Sequence, residues 1–252
     1  MRTISLLNIK GGVGKTTASI NLATGLAMLG KRTLLVDLDP QASTTSMFLD
    51  NAPPFSASAL LKGQAPASAC IIPIEENLWL LPAELDLVNT EIEIRLQPTT
   101  PQHNRLQSAL ESVRNQFDYC VIDNSPSISL LTVNAIIASR LVIIPIKPDR
   151  FAIQGFDMTI KSILELRENW KLDLDYRVLF NIVNRNNTER EIVAQMRELV
   201  QERAYISEIR SQPKPIAEAS AMKRAVIKET AASCGVASDM RALLTEILEG
   251  AI

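Results

Sequence analysis

The sequence predicts an α/β fold in which a mostly parallel, twisted sheet is covered by helices on both faces. Short apolar segments alternate along the chain with longer segments whose apolar residues recur at helical spacing. Residues 141–146 are apolar throughout, as expected of a central parallel strand that is buried on both faces. A glycine-rich loop separates an apolar strand at residues 3–8 from an Ala- and Leu-rich helix that stops at Gly30.

The remaining elements continue this alternation. We expect further strands at residues 32–36, 71–73, 78–81, 118–123, 177–183 and 205–206. We expect further helices at residues 56–61, 102–115, 130–138, 154–169, 189–202 and 238–249. Pro145 marks the end of the strand at 141–146 or a bulge in it. Without an internal repeat or a linker, the sequence predicts a single domain over residues 1–252.

One additional helix is predicted by apolar residues at helical spacing. These residues are Leu85, Val88, Ile92 and Leu96. A cluster of Pro and Thr at residues 98–101 should end this helix.

The composition is that of an ordinary globular protein. The 252 residues are 46% hydrophobic and 21% charged, and the net charge of −2 gives no overall attraction to nucleic acid or membrane. Three widely spaced cysteines form no C-x-x-C pair, which indicates reduced thiols in a cytosol. A strand begins almost at Met1, so we expect no signal peptide, and the apolar runs are too short to span a bilayer.

The glycine-rich loop has the residue pattern of a phosphate-binding loop. Its residues are Lys10, Gly11, Gly12, Val13, Gly14, Lys15, Thr16 and Thr17. Glycines let backbone N–H groups curve around an anion, and the following helix directs the positive end of its dipole to the same place. Lys15 supplies a full charge to the β- and γ-phosphates, and the Thr16 hydroxyl is placed to bind Mg²⁺. The alternative is a purely structural glycine turn.

The loop departs from the ordinary G-x-x-x-x-G-K-[ST] pattern. That pattern requires glycine where this chain has Ile9, and a second lysine, Lys10, precedes the glycines. Lys10 either contributes to phosphate binding or is a solvated lysine that flanks the loop.

Three aspartates follow strands that we expect beside the loop: Asp37, Asp39 and Asp123. Ligand sites of α/β sheets lie at the carboxyl ends of parallel strands. Phosphoryl transfer requires Mg²⁺ and a group that orients the attacking water. Asp123 is the candidate for the magnesium contact, Asp39 for positioning water, and Asp37 for supporting Mg²⁺ or the Thr16 hydroxyl. Alternatively, these aspartates cap the turns that follow the strands.

The chain resembles the ParA/MinD class of deviant Walker-A ATPases, which have a P-loop NTPase fold. The matching segments are residues 10–17, 37–41, 119–126, and 130–138 followed by 141–145. The resemblance implies hydrolysis of ATP with Mg²⁺, catalysed by Lys10, Lys15 and Asp39. It also implies an ATP-dependent homodimer in which Lys10 reaches the partner's phosphates. Asn184 matches the position that contacts the adenine base in the family, although a helix cap or a loop amide is an equal alternative.

Within this class the chain is most similar to the short ParA/Soj type, which partitions plasmids or chromosomes. The resemblance implies a ParB-like, centromere-binding partner and a cytoplasmic, nucleoid-associated protein. No N-terminal helix-turn-helix extension is expected. The final helix carries one basic residue and three acids, unlike the basic amphipathic helix with which MinD-like proteins bind membrane, so we expect no membrane binding. The alternatives are a ParA-like positioning ATPase for another cargo and a MinD-like regulator of septum placement.

Residues 203–228 carry a local excess of positive charge. Six basic residues face two acidic ones, whereas the whole chain has a net charge of −2. The family resemblance implies binding of double-stranded DNA without sequence preference, which is driven by phosphate neutralisation. Our candidates are Arg210, Lys214, Lys223 and Arg224. For each of them, a solvated charged surface is the alternative.

Overall fold

The computed structural model describes residues 1–97, 101–184 and 186–250. Within these ranges, eight strands form one sheet in the order β3-β4-β2-β5-β1-β6-β7-β8. Every neighbouring pair is parallel except β3 and β4. The strands are β1 (Arg2–Leu6), β2 (Thr33–Leu38), β3 (Ile72–Glu75), β4 (Leu78–Leu81), β5 (Tyr119–Asn124), β6 (Leu141–Ile146), β7 (Asp175–Val183) and β8 (Ile209–Arg210).

Helices cover both faces of this sheet. They are α1 (Lys15–Met28), α2 (Ser43–Phe48), α3 (Ala57–Lys62), α4 (Ala67–Cys70), α5 (Leu87–Arg95), α6 (Arg105–Glu111), α7 (Leu130–Ala138), α8 (Ala152–Asn169), α9 (Asn187–Val200), α10 (Pro213–Ala221) and α11 (Gly235–Glu249). One face of the sheet packs on α1 and α11. The other face packs on α3, α6 and α7 at one end and on α8 and α9 at the other. The predicted fold class is therefore confirmed.

The alternation of side chains along the strands explains this layering. In β2, Leu35 points into the core that contains α1, whereas Leu34 and Val36 belong to the core on the opposite face. The residues on both faces of β2 are fully buried, so the sequence of such a strand is apolar without interruption. Within the described ranges, no helix is long and apolar enough to cross a bilayer.

The predicted strand at residues 205–206 is wrong. Ala204 makes a single bridge to Val178, and the short strand that pairs with β7 is β8 at Ile209–Arg210. The N–H groups of Ile206 and Ser207 donate instead to the carboxylate of Glu246 on α11, at 2.7 and 2.9 Å. This contact with a distant helix cannot be inferred from the local sequence. The sequence prediction also missed α10 entirely.

Pro145 marks neither an end nor a bulge, because β6 continues through it to Ile146 in regular register with β7. The Asn8 side chain donates a hydrogen bond to the Pro145 carbonyl at 2.8 Å, on the side where β1 has already ended. Proline cannot donate a backbone hydrogen bond. At the level of Pro145 β1 has already ended, so the sheet loses no hydrogen bond to that strand.

The predicted helix at residues 85–96 exists as α5, but its packing face is not formed by the residues whose spacing predicted it. Leu87, Thr90 and Ile94 are buried, and the Thr90 hydroxyl contacts the hydroxyl of Ser58 on α3. The four residues whose spacing predicted the helix are more than half exposed: Leu85, Val88, Ile92 and Leu96. Of the predicted break at residues 98–101, residues 98–100 lie outside the described ranges. The helix predicted at 102–115 is shorter, with α6 followed by a 3-10 turn at Arg114–Gln116.

Candidate functional site

Three neighbouring strands bring the predicted site residues together at one edge of the sheet. The glycine loop leaves β1, whose neighbour β5 carries Asp123 near its carboxyl end. Asp37 on β2 is the direct register partner of Asp123. Both aspartates are fully buried beside the start of α1. The parallel pairing alone therefore places two carboxylates against the loop.

The loop backbone is arranged to leave N–H groups available. Gly12 and Gly14 have φ angles of 72° and 82°, a region that glycine enters without steric cost. Helix α1 begins directly after Gly14, and the N–H of Ala18 is the first to reach a helical acceptor, the Gly14 carbonyl. No acceptor in the described part of the chain meets the N–H groups of residues 11–17. An anion is the ligand that such a loop and helix N-terminus suit.

The side chain of Lys15 lies within the loop. It is 7% exposed, and its ammonium donates to the backbone carbonyls of Asn8 at 3.1 Å and Lys10 at 3.4 Å. Burial lowers its pKa below the ordinary value, while the negative charges of Asp123 and Asp39 oppose this shift. A buried cation that is held only by carbonyl oxygens can exchange them for phosphate oxygens.

Hydroxyl groups surround the Asp123 carboxylate. Ser19 and Thr44 donate to it at 3.2 and 2.8 Å. Burial raises the pKa of Asp123 to about 6, although hydrogen bonds from these two hydroxyls and from Thr16, and the charge of Lys15, lower it. The Thr16 hydroxyl therefore lies near Asp123.

The Asp37 carboxylate accepts three hydrogen bonds, two of them on the same oxygen. One carboxylate oxygen accepts the N–H and the hydroxyl of Thr45, both at 2.8 Å, and the other accepts the N–H of Asp39 at 3.1 Å. Burial and the neighbouring charge of Asp123 raise the pKa of Asp37 to about 7 in spite of these bonds. Two buried carboxyls in adjacent strands thus lack a full counter-charge within the protein.

The oxygen atoms at this site suit Mg²⁺ better than a metal ion that is ligated entirely by protein side chains. Among the described residues, no cluster of three or more His, Cys, Asp or Glu side chains could hold a metal ion. Mg²⁺ is instead held by one or two carboxylates together with water and phosphate oxygens. Asp123 and the Thr16 hydroxyl supply protein oxygens of this kind, and Asp37 lies in the adjoining strand.

Asp39 lies at the entrance of the site. Its carboxylate accepts the N–H of Gln41 at 2.9 Å, which fixes the turn after β2. It is only partly buried and lines an open groove with Gln41, Ser125 and Ser127. Because its charge also acts on Lys15, it lies close to the loop, where a water-positioning group is expected.

Lys10 forms an ion pair within its own chain. Its ammonium bonds the carboxylate of Asp149, in the segment after β6, and lies 5.8 Å from the centre of the Phe151 ring. Asp149 also accepts the N–H of Phe151 at 2.9 Å. Partial burial would raise the pKa of Asp149, but its bonds to Lys10 and to the Phe151 N–H hold it below the ordinary value. Lys10 is thus half-buried and paired rather than simply solvated.

Asn184 does not contact the loop in this structure. It is exposed, and both its backbone N–H and its side-chain amide donate to Glu189, at 2.7 and 2.8 Å. The asparagine that does reach the loop is Asn181, which donates to the Val13 carbonyl at 2.7 Å. Sequence reasoning missed Asn181; the signal was a single amide in the otherwise apolar run of β7.

The basic residues of the C-terminal region are paired with acids, some of them close in sequence and others distant. Among the DNA-binding candidates, Arg210 makes two bonds of 2.7 Å to Asp239. The ion pairs of the other three are Lys214–Glu218 at 3.9 Å, Lys223–Asp50 and Arg224–Glu229 at 2.8 Å. The local excess of charge in the sequence is therefore largely balanced in space. Lys214 is the most exposed of the four, at 86% of its side chain.

Comparison with known proteins shows the family to which the chain belongs. The AAA domain family matches residues 1–176. The sporulation initiation inhibitor protein Soj of Bacillus subtilis is 34% identical over 232 residues, which cover 85% of this chain and 90% of that protein. The chain belongs to the ParA/Soj family of partitioning ATPases.

Solved structures confirm the family's P-loop NTPase fold. A putative plasmid partition protein of Borrelia burgdorferi, bound to AMPPNP, superposes with a TM-score of 0.82 at 25% identity and covers 99% of both chains. Cobyrinic acid a,c-diamide synthase of Mycobacterium smegmatis, with an ATP analogue and magnesium, gives 0.83 at 25% identity over 99% of this chain and 95% of that one. Since proteins with such different names share the fold, function must be argued from the site.

The raised pKa values predict how stability depends on pH. Without metal and nucleotide, the free energy of unfolding should fall as the pH rises from about 4 to about 7. Folded Asp37 and Asp123 retain protons that the unfolded chain, with a carboxyl pKa of about 3.9, has already released. Each such proton gives a slope of at most about 1.4 kcal/mol per pH unit. Urea denaturation in EDTA at several pH values measures it.

The variant Asp37→Asn should flatten this slope, because an amide cannot ionise. Asp157→Asn, at an exposed ion pair with Lys161 on α8, is the matched control and should keep the wild-type slope. Equal slopes for wild type and Asp37→Asn would contradict the interpretation.

Proposed function

We propose that this chain is an Mg²⁺-dependent ATPase that dimerises on binding ATP, binds double-stranded DNA without sequence preference and partitions DNA with a ParB-like partner. The single observation that carries the proposal is the convergence of the free N–H groups of residues 11–17, Lys15 and two buried carboxyls at one edge of the sheet. Donors for a polyphosphate and oxygens for its Mg²⁺ are thereby held together. We infer a cytoplasmic, nucleoid-associated protein with a single domain.

ATP binding begins at the loop. The N–H groups of residues 11–17 receive the phosphates, and Lys15 leaves the Asn8 carbonyl to bind phosphate oxygens. Thr16 and Asp123 hold Mg²⁺, with Asp37 in support; the ion, when bound, neutralises charge on the phosphate oxygens. Asp39 orients the attacking water from the entrance of the site. Asn184 is proposed to contact the adenine once Glu189 releases it.

Substitution of Asp39 tests the hydrolysis step. Asp39→Ala should bind ATP with nearly wild-type affinity but release phosphate about 100-fold more slowly, since general-base positioning contributes this much or more. Phosphate release and ATP affinity are measured separately, with and without duplex DNA. Asp157→Ala, an exposed substitution on α8, is the control. A wild-type turnover rate for Asp39→Ala would remove it from the mechanism.

Dimerisation requires Lys10 to change partners. In the free chain Asp149 neutralises Lys10, whereas between two apposed triphosphates the lysine offsets negative charge that would otherwise repel the two sites. The ion pair with Asp149 is partly exposed, so breaking it costs little.

The variant Lys10→Ala should therefore remain monomeric with ATP, while the wild type dimerises. Light scattering after size exclusion measures this, in an Asp39→Ala background that slows hydrolysis. Lys161→Ala removes an exposed, ion-paired lysine on α8 and should dimerise normally. An ATP-dependent dimer of Lys10→Ala would exclude the role across subunits.

The proposed DNA contacts are Arg210, Lys214, Lys223 and Arg224. Surface ion pairs contribute at most about 1 kcal/mol, so DNA phosphates can displace the acidic partners of exposed lysines. In α11, Leu243, Leu244 and Ile247 lie in the core, which supports a structural role for this helix and a protein without membrane binding.

DNA binding should require ATP and weaken steeply with salt. Lys214→Ala and Lys223→Ala should each reduce the slope of log K against log[salt] by about 1, because each removes one phosphate contact. Fluorescence anisotropy with labelled duplexes of two unrelated sequences measures both properties, and Lys161→Ala serves as the control. Binding that ignored salt, or that was equal with ADP, would contradict the proposal.

A further inference from the structure

We propose that Asn181 is a positioning residue that fixes the orientation of the Val13–Gly14 peptide for anion binding. The inference rests on the proposed function, because it concerns how the glycine loop receives phosphate.

The contact itself is buried and specific. Asn181 is 3% exposed, and its side-chain amide donates to the Val13 carbonyl at 2.7 Å across 168 residues of sequence. It is the only polar residue among residues 178–183 of β7. Burying an amide is unfavourable unless it is hydrogen-bonded, so packing alone gives no reason for an asparagine here.

Because the peptide group is planar, this contact also fixes the direction of the Gly14 N–H group. In a trans peptide, the carbonyl of one residue and the N–H of the next point in opposite directions. Because Asn181 holds the Val13 carbonyl, the Gly14 N–H points away from Asn181, and no acceptor in the described ranges meets it. If the peptide flipped, the loop would present a carbonyl oxygen to an anion in place of a donor.

The strand is distorted at this point. The register between β7 and β8 shifts between Asn181 and Val183, and Ile182 has a φ of 60°. Phe180 and Val183, three residues apart, lie in the same core, as a bulge permits and regular alternation does not. A β-branched residue at positive φ is strained, and such strain is concentrated at functional sites.

The bulge also explains the close approach of strand and loop. A Cβ on Gly14 would overlap the Asn181 amide nitrogen and would lie 3.4 Å from Ile182 Cδ1. Gly14 is thus required by its φ of 82° and also by the proximity of β7. Loop and strand therefore fit together as one unit.

The test compares Asn181→Ala and Asn181→Leu with wild type in the full chain. Asn181→Leu nearly preserves the volume, carries no charge and offers no donor to the carbonyl. Both variants should bind ATP and ADP in the presence of Mg²⁺ about 10- to 100-fold more weakly, the range for one hydrogen bond to a charged group. Calorimetric titration measures the affinity, and thermal unfolding of the same samples measures stability.

Asn134→Ala is the matched control for a purely structural role. Asn134 is also buried and donates to two backbone carbonyls, of Leu130 and Gln102, but it joins α7 to the segment before α6. It should lose stability and keep nucleotide affinity.

Wild-type affinity in the folded Asn181 variants would overturn the inference while leaving the proposed function intact. An equal loss of affinity in Asn134→Ala would also overturn it, since general destabilisation would then be the cause. A wild-type protein that bound no nucleotide would overturn the proposed function and this inference with it. If Asn181→Ala fails to fold, the nearly isosteric Asn181→Leu provides the same comparison.

Discussion

The burial of Asp37 and Asp123 side by side, next to Lys15, is the constraint on which the rest of the site depends. Burial raises the free energy of ionising both carboxyls, the charge of Asp123 raises it further for Asp37, and one lysine cannot balance both. The hydroxyls of Thr44 and Thr45 reduce this cost by hydrogen bonding. A divalent cation would complete the balance, so the free protein is electrostatically prepared for a ligand that brings positive charge.

The same principle applies to the cations. Lys15 bonds backbone carbonyls, Lys10 bonds Asp149, and Arg210 bonds Asp239. Each of these cations, which we assign to a ligand or a partner, therefore makes a contact within the chain that the ligand or partner would replace. These contacts differ in strength, because the Lys10 pair is partly exposed whereas Arg210 donates three hydrogen bonds to the Asp239 carboxylate. Exposed pairs exchange readily, and Lys214, with its long contact to Glu218, has least to lose.

Much of the fold was predictable because periodicity and glycine chemistry are local. The helix at 130–138 and the strand at 141–146 match the structure at both ends. The errors have a common cause. Ile206 does not form a strand because its N–H donates a hydrogen bond to Glu246, forty residues away along the chain. The apolar stripe of α5 faces solvent because Thr90 and Ile94 pack on the opposite side. Such outcomes depend on neighbours that no local window contains.

The sequence by itself determined the glycine loop, the strand-end aspartates and the family, because the residue types and their spacing specify backbone conformation and charge. The tertiary structure alone decided which groups meet. It paired Asp37 with Asp123 in register, set Asp149 against Lys10 and brought Asn181 to Val13 in place of any contact from Asn184. The reason is physical: hydrogen bonds and ion pairs depend on distances of a few ångströms, and only the packing of strands and helices fixes those distances.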